Sequence, residues 1–218
     1  MNNINFITFH YSDQDQELIS HLEKTLKDNC DRIFGFFDSS LEREPIEIRI
    51  IPTKKEYDEI SKKRRGITEI PKWSIGNYHD HTIEYVSLND YKNTSHAFPK
   101  ERYKEELEYY KKTILHEFTH YVVDLYLKKN QGNSPLHYLN EGIAQYLSGQ
   151  RDNIEIQFNY TLEDILNSNN CYSSWYLLTK YILEKYGKEY FLKLLRNQDL
   201  ALEETPRLYE EAKTYYQS

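Results

Sequence analysis

The sequence predicts an α+β fold, with an N-terminal mixed α/β lobe carrying a small sheet, a long central helix and a C-terminal helical lobe. Two observations predict it. Every strand-like segment but one short candidate lies before about residue 100, and helical periodicity dominates after it. One helical pattern, from about Lys100 to Lys129, is long enough to join the two halves. A chain of 218 residues can bury a substantial core as one domain or as two lobes sharing a cleft. The expected organisation is one domain over 1–218, with lobes over about 1–120 and 121–218.

The elements follow in order. Ile4 to Tyr11 alternates apolar and polar residues, as a half-buried strand does. Ser12 and Asp13 offer N-caps for a helix through Phe37, whose Leu18, Leu22, Leu26 and Ile33 share one apolar face. Ile46 to Ile51 reads as a second strand, stopped by Pro52, and 53–63 as a short polar helix. The segment from Gly66 to Asp80, with Gly66, Pro71 and Gly76, reads as loop, and His81 to Leu88 as a third strand. Beyond the long helix, Gly132 to Pro135 breaks the chain. Helices are then expected over 136–149, from Trp175 to Asn197 and from Pro206 to Gln217, with a short strand at 154–158.

Composition excludes some functions. A net charge of −7 argues against nonspecific nucleic-acid binding, which relies on clustered Lys and Arg at phosphates. The run Lys62-Lys63-Arg64-Arg65 is short and reads as a solvated loop or helix end more than as a phosphate site. No membrane partner is expected, because no run of about 18 apolar residues exists. The N-terminus lacks the basic and apolar regions of a secretory signal, so a cytoplasmic location is expected. Two cysteines, Cys30 and Cys171, allow one disulfide at most. The 21 tyrosines predict a phenolic core whose hydroxyls need partners.

The chemistry concentrates in Thr113 to Tyr126, TILHEFTHYVVDLY. On a helix His116 and His120 stand at i and i+4, so their side chains leave one face a turn apart. Both imidazoles can then reach one Zn²⁺ at about 2.0–2.1 Å. Glu117 points to one side, placed to act as general base on water. A shuffled chain of this composition would contain His-Glu-x-x-His only roughly 0.03 times. The surrounding Ile114, Leu115, Phe118, Val122 and Val123 predict a buried helix, where unpartnered polar groups are expensive. A catalytic site needs a third protein ligand and an open position. Twenty residues separate Glu141, on a second predicted helix, from His120, so a helix-turn-helix can return it to the pair.

His116-Glu117-x-x-His120 followed by Asn140-Glu141-Gly142-x-Ala144 resembles the gluzincin metallopeptidases, the group of thermolysin and the zinc aminopeptidases. The similarity is specific over 114–146 and weaker over 172–195, where Tyr172 precedes an apolar helix ending at Gly187, fifteen positions on. Before residue 100 only the strand–helix–strand order resembles the small peptidase-MA-like branch. The resemblance implies a zincin-like single catalytic domain, a peptidase binding one Zn²⁺ through His116, His120 and Glu141 and acting on a peptide or protein substrate. It assigns Glu117 as general base and Tyr172 as donor to the developing oxyanion. One departure matters. The Gly-x-Met-Glu-Asn segment that holds a substrate's free amino group in the aminopeptidases is missing, since Met1 is the only methionine.

Other residues compete for roles. His137 could replace Glu141 as ligand or cap its helix. His79 and His81 could share a strand face as a second metal pair or form a polar turn. Asp124, a turn after His120, could orient a ligand or lie on the surface, and Gln145 stands similarly after Glu141. Tyr176 is the alternative oxyanion donor. Cys171 reads as a buried small side chain. The strand at 81–88 is expected to offer its edge to an extended substrate. Two rival readings keep the same fold: a noncatalytic zinc-binding protein, and a regulatory protein with one dedicated protein partner.

Overall fold

The computed structural model describes residues 4–93, 106–152, 157–168 and 171–217. It is mixed α+β with one small sheet. The chain forms two compact units, Met1–Arg32 with Glu42–Tyr121, and Ile33–Leu41 with Val122–Ser218.

The first unit carries the sheet. Strands β1 (Ile7–His10), β2 (Ile46–Ile51), β3 (Gly76–His79) and β4 (Thr82–Val86) are ordered β1-β2-β4-β3. β1, β2 and β4 are parallel, and β3 is antiparallel to β4. Parallel neighbours need a crossover, here helix α1 (Gln16–Phe37) between β1 and β2. The predicted stripe on α1 is buried: Leu18, Leu22, Leu26 and Ile33 are at most 4 % exposed. Ile46, Ile48 and Ile50 alternate inward on β2, while Arg49 is exposed and bonds Glu47 two residues away. Burying such a side chain contributes about 1.5–3 kcal/mol.

Several expectations need correction. Ser12 does not cap a helix backbone. Its hydroxyl donates to Asp15 Oδ2 at 2.8 Å, on a 3₁₀ turn (Asp13–Asp15) that precedes α1. Asp15 is buried, and Ser87 donates to its other oxygen at 2.6 Å, tying this turn to the residue after β4. Helix α2 (Lys54–Arg65) is capped by Thr53, which accepts from Glu56 N at 3.1 Å. The predicted loop 66–80 contains β3. A two-residue turn, Asp80 (φ 38°) and His81 (φ 57°), joins β3 to β4, so His81 lies in the turn and β4 starts at Thr82. β4 ends at Val86, and Leu88 opens helix α3 (Leu88–Asn93).

The register fixes which groups β3 presents. Val86 N donates to Ile75 O at 2.8 Å, a hydrogen-bonded pair. Pairs alternate along an antiparallel ladder, so Asn77 and His79 also bond β4, while Gly76 and Tyr78 turn their N–H and C=O to the outer edge. β4, between β2 and β3, offers no edge to a substrate.

Helix α4 (Glu106–Lys129) carries the motif, and residues 113–123 are buried without interruption. The expected start at 100–105 lies outside the described residues. Three core tyrosines satisfy their hydroxyls on loop and helix carbonyls: Tyr85 donates to Tyr110 O at 2.6 Å, Tyr109 to Trp73 O at 2.6 Å and Tyr121 to Glu44 O at 2.5 Å.

The second unit is helical: α5 (His137–Ser148), α6 (Leu162–Asn167), α7 (Tyr172–Arg196) and α8 (Gln198–Gln217). The sequence reading lacked α6, although Thr161 and Asp164 close a capping box. The strand expected at 154–158 lies largely outside the described residues, and Gln157 and Phe158 are not in a strand. α7 starts at Tyr172 and is interrupted at Gly187, whose φ of 81° suits glycine. α8 begins eight residues before Pro206, which lies inside it. Among the described residues no helix is long and apolar enough to cross a membrane.

Cys30 and Cys171 are free and fully buried, each in a different unit. Burial pushes the Cys30 thiol up to about 11. Both thiols are therefore expected to resist a thiol-labelling reagent at pH 8 in the native protein and to react fully in denaturant. Rapid native labelling of Cys30 would contradict its burial.

Candidate metal centre

Helical spacing on α4 sets the first half of the site. His116 and His120 are each 8 % exposed, their rings stand edge-on at 4.8 Å, and their Nε2 atoms are 3.1 Å apart. Glu141 lies in the first turn and a half of α5. One ligand atom from each of His116, His120 and Glu141 lies within 4.8 Å of the other two. Among the described residues this is the one group of three or more His, Cys, Asp or Glu that could hold a metal ion.

The donors fit a metal of zinc type. Two nitrogens each about 2.0–2.1 Å from one tetrahedral ion stand about 3.3 Å apart, close to the 3.1 Å here. Two imidazole nitrogens and one carboxylate are a borderline donor set, suited to zinc and its neighbours more than to calcium or magnesium.

Local packing explains why Gly142 follows Glu141. A Cβ at Gly142 would meet Thr179 Oγ1 at 2.1 Å and Trp175 O at 2.6 Å, both on α7. α5 and α7 thus touch backbone to backbone, and Glu141 stands one residue from that contact. Gln145, 1 % exposed, accepts from Arg151 Nε at 2.8 Å, and Arg151 Nη1 donates to Ser173 Oγ at 2.9 Å. A buried arginine therefore links the turn after Glu141 to the residue after Tyr172.

Glu117 is 8 % exposed, and its Oε2 accepts from the backbone N–H of Tyr78 at 2.8 Å. Gly76 allows this approach, because a Cβ there would meet the Tyr85 ring at 2.6 and 2.9 Å and Glu117 Cγ at 3.3 Å. The Tyr57 hydroxyl donates to Gly76 O at 2.8 Å and lies 3.1 Å from Ser74 Oγ. Burial raises the Tyr57 hydroxyl well above its ordinary value, and the Glu117 charge adds to this. The sequence reading gave no role to Tyr57, Gly76 or Tyr78. A glycine beside aromatic residues in a supposed loop was the available signal.

The remaining candidates separate. Tyr172, half-buried, opens α7 with its ring edge-on to Trp175 at 5.0 Å, and exposed His137 meets the same indole at 4.9 Å. His137 is outside the metal group. Tyr176 is 5 % exposed, its hydroxyl raised chiefly by burial. Asp124 is exposed on α4. His79 joins Arg64 at 2.6 Å and lies 3.5 Å from Glu84, whereas His81 in the turn faces Pro45 O and Glu44, so the two form no metal pair. Cys171 Sγ donates to Asp164 O at 3.4 Å.

Comparison with protein-family models, curated proteins and solved structures finds no match.

Gly142→Ala is expected to destabilise the protein by about 1–3 kcal/mol through overpacking, read as a lower midpoint in urea. Thr179→Ala in the same chain should recover only part of it, since the Trp175 carbonyl still blocks the methyl group. Full recovery would show that the backbone contact does not limit this packing.

Proposed function

We propose that the protein is a zinc-dependent peptidase of gluzincin type acting on a peptide or protein substrate. The observation that carries this reading is the convergence of His116, His120 and Glu141, with Glu117 on the turn between the two histidines. His116 and His120, through imidazole nitrogens, and Glu141, through a carboxylate oxygen, would hold one Zn²⁺. A bound ion would supply Lewis acidity towards a carbonyl and would lower the pKa of water towards about 7. Glu117 removes the proton of the attacking water and returns it to the leaving amine. The Tyr172 hydroxyl donates to the carbonyl oxygen as negative charge gathers there, an interaction worth more in the transition state than in the ground state. The near-complete burial of both histidines and Glu117 supports a site that limits water and strengthens each electrostatic contact.

Metal analysis of the purified protein should give about one zinc per chain, with large losses in His120→Ala and Glu141→Ala. Full zinc retention by Glu141→Ala would remove it from the ligand set. Glu117→Gln should keep the metal and lose about 10²–10⁴ in turnover of a peptide library. Metal binding with no cleavage by wild type would instead favour a metal-binding protein with a dedicated partner.

Tyr172→Phe deletes one hydroxyl. It should leave zinc content and folding unchanged and lower kcat by roughly 10²–10³, with little change in KM. Wild-type turnover in Tyr172→Phe, with a loss in Tyr176→Phe, would transfer the role to Tyr176.

A further inference from the structure

Glu117 is not held by its own helix. Its Oε2 accepts from Tyr78 N, 39 residues away on the outer edge of β3. In this register Tyr78 N–H points away from β4, and its hydrogen bond goes to the Glu117 carboxylate. The contact pairs an anion with an oriented dipole, the stronger class of hydrogen bond. It commits one carboxylate oxygen and leaves Oε1 for proton transfer.

What fixes the amide is a second contact two residues back. Gly76 O, also turned outward, accepts from the Tyr57 hydroxyl at 2.8 Å. Tyr57 sits on α2, is 1 % exposed, and its hydroxyl is also within 3.1 Å of Ser74 Oγ. The strand between these anchors has no slack. Gly76 already touches the Tyr85 ring and the Glu117 side chain so closely that one methyl group would not fit.

We infer that Tyr57 is a positioning residue for Glu117, acting through β3: its hydroxyl holds Gly76, which places the Tyr78 amide that orients the carboxylate. This rests on Glu117 being the general base, but the contact itself can be tested without turnover. Loss of the Tyr57 hydroxyl frees the Gly76 carbonyl, lets the strand edge shift, and leaves Glu117 with more than one orientation. The metal ligands on α4 and α5 are untouched.

The test uses the full-length, zinc-loaded chain with Tyr57→Phe, Glu117→Ala and Glu117→Gln, and reads the Tyr78 amide by hydrogen exchange. In wild type this amide should exchange slowly despite lying on a strand edge. Glu117→Ala should accelerate it about tenfold or more, the value of one hydrogen bond. Glu117→Gln, which keeps a carbonyl oxygen as acceptor, should retain most of the protection. Tyr57→Phe should accelerate Tyr78 exchange while leaving the ladder amides of Asn77 and His79 within about twofold. Its kcat should fall about tenfold with unchanged KM and zinc content. Equal Tyr78 exchange in wild type and Glu117→Ala would overturn the contact. Unchanged kcat and unchanged Tyr78 exchange in Tyr57→Phe would overturn the positioning role. If wild type cleaves nothing, the peptidase reading fails, while the exchange data still decide whether Tyr57 sets the Glu117 contact. Gly76→Ala is the second probe. It keeps the Tyr57 hydroxyl and crowds the strand, so it should accelerate Tyr78 exchange as Tyr57→Phe does. A Gly76→Ala protein with wild-type exchange at Tyr78 would contradict the argument.

Discussion

Three ionisable side chains on an uninterruptedly buried stretch of helix are the constraint on which this structure depends. Residues 113–123 of α4 are all buried, and His116, Glu117 and His120 lie within that stretch. Little solvent reaches them there, so a protein atom or an ion must offset the lost hydration. The two imidazole Nε2 atoms are 3.1 Å apart, and one ligand atom from each of His116, His120 and Glu141 lies within 4.8 Å of the other two. Glu117 accepts from the outward-facing amide of Tyr78 on β3. The first unit supplies what surrounds this part of the helix. β4 contributes the buried Tyr85, β3 the amide and the glycine that gives it room, and α2 the hydroxyl behind that glycine.

The second unit solves a different problem with the same device, a glycine where two elements touch. Gly142 lets α5 meet α7 at backbone distance, so the residue beside it, Glu141, is placed by packing instead of by a flexible loop. Arg151 adds a polar brace between α5 and the start of α7. A side chain on such a support has little conformational freedom left to lose when it engages a partner, which lowers the ordering cost of binding.

Much of this was legible in the sequence where one local rule decides the outcome. The i, i+4 histidines, the apolar stripe of α1 and the alternation in β2 follow from helix and strand periods alone. Legibility failed where tertiary contacts override local preference. β3 is only Gly76–His79, it lacks alternation, and its turn uses Asp80 and His81 at positive φ, where Asn-Gly or Asp-Gly would have announced a hairpin. Pro206 suggested a helix start, yet the chain enters α8 at Gln198 and accommodates the proline inside. Ser12 looked like a cap and instead bonds Asp15, a buried carboxylate whose second partner, Ser87, is 72 residues away. Glu141 was readable as a candidate from its place after His120 and from the residues around it. The link from Tyr57 through β3 to Glu117 was not, because its partners are far apart in sequence and one of them is a backbone amide.

The way β3 ends the sheet has a consequence for solubility. An exposed edge strand normally presents a row of unmatched amides and carbonyls that a second copy of the chain can extend into a shared sheet. On β3 the outward carbonyl of Gly76 and the outward amide of Tyr78 are already engaged by side chains of the same molecule. A neighbouring chain would have to strip away both bonds before its own strand could dock. The Tyr57 hydroxyl and the Glu117 carboxylate thus also oppose pairing of a second chain along the β3 edge.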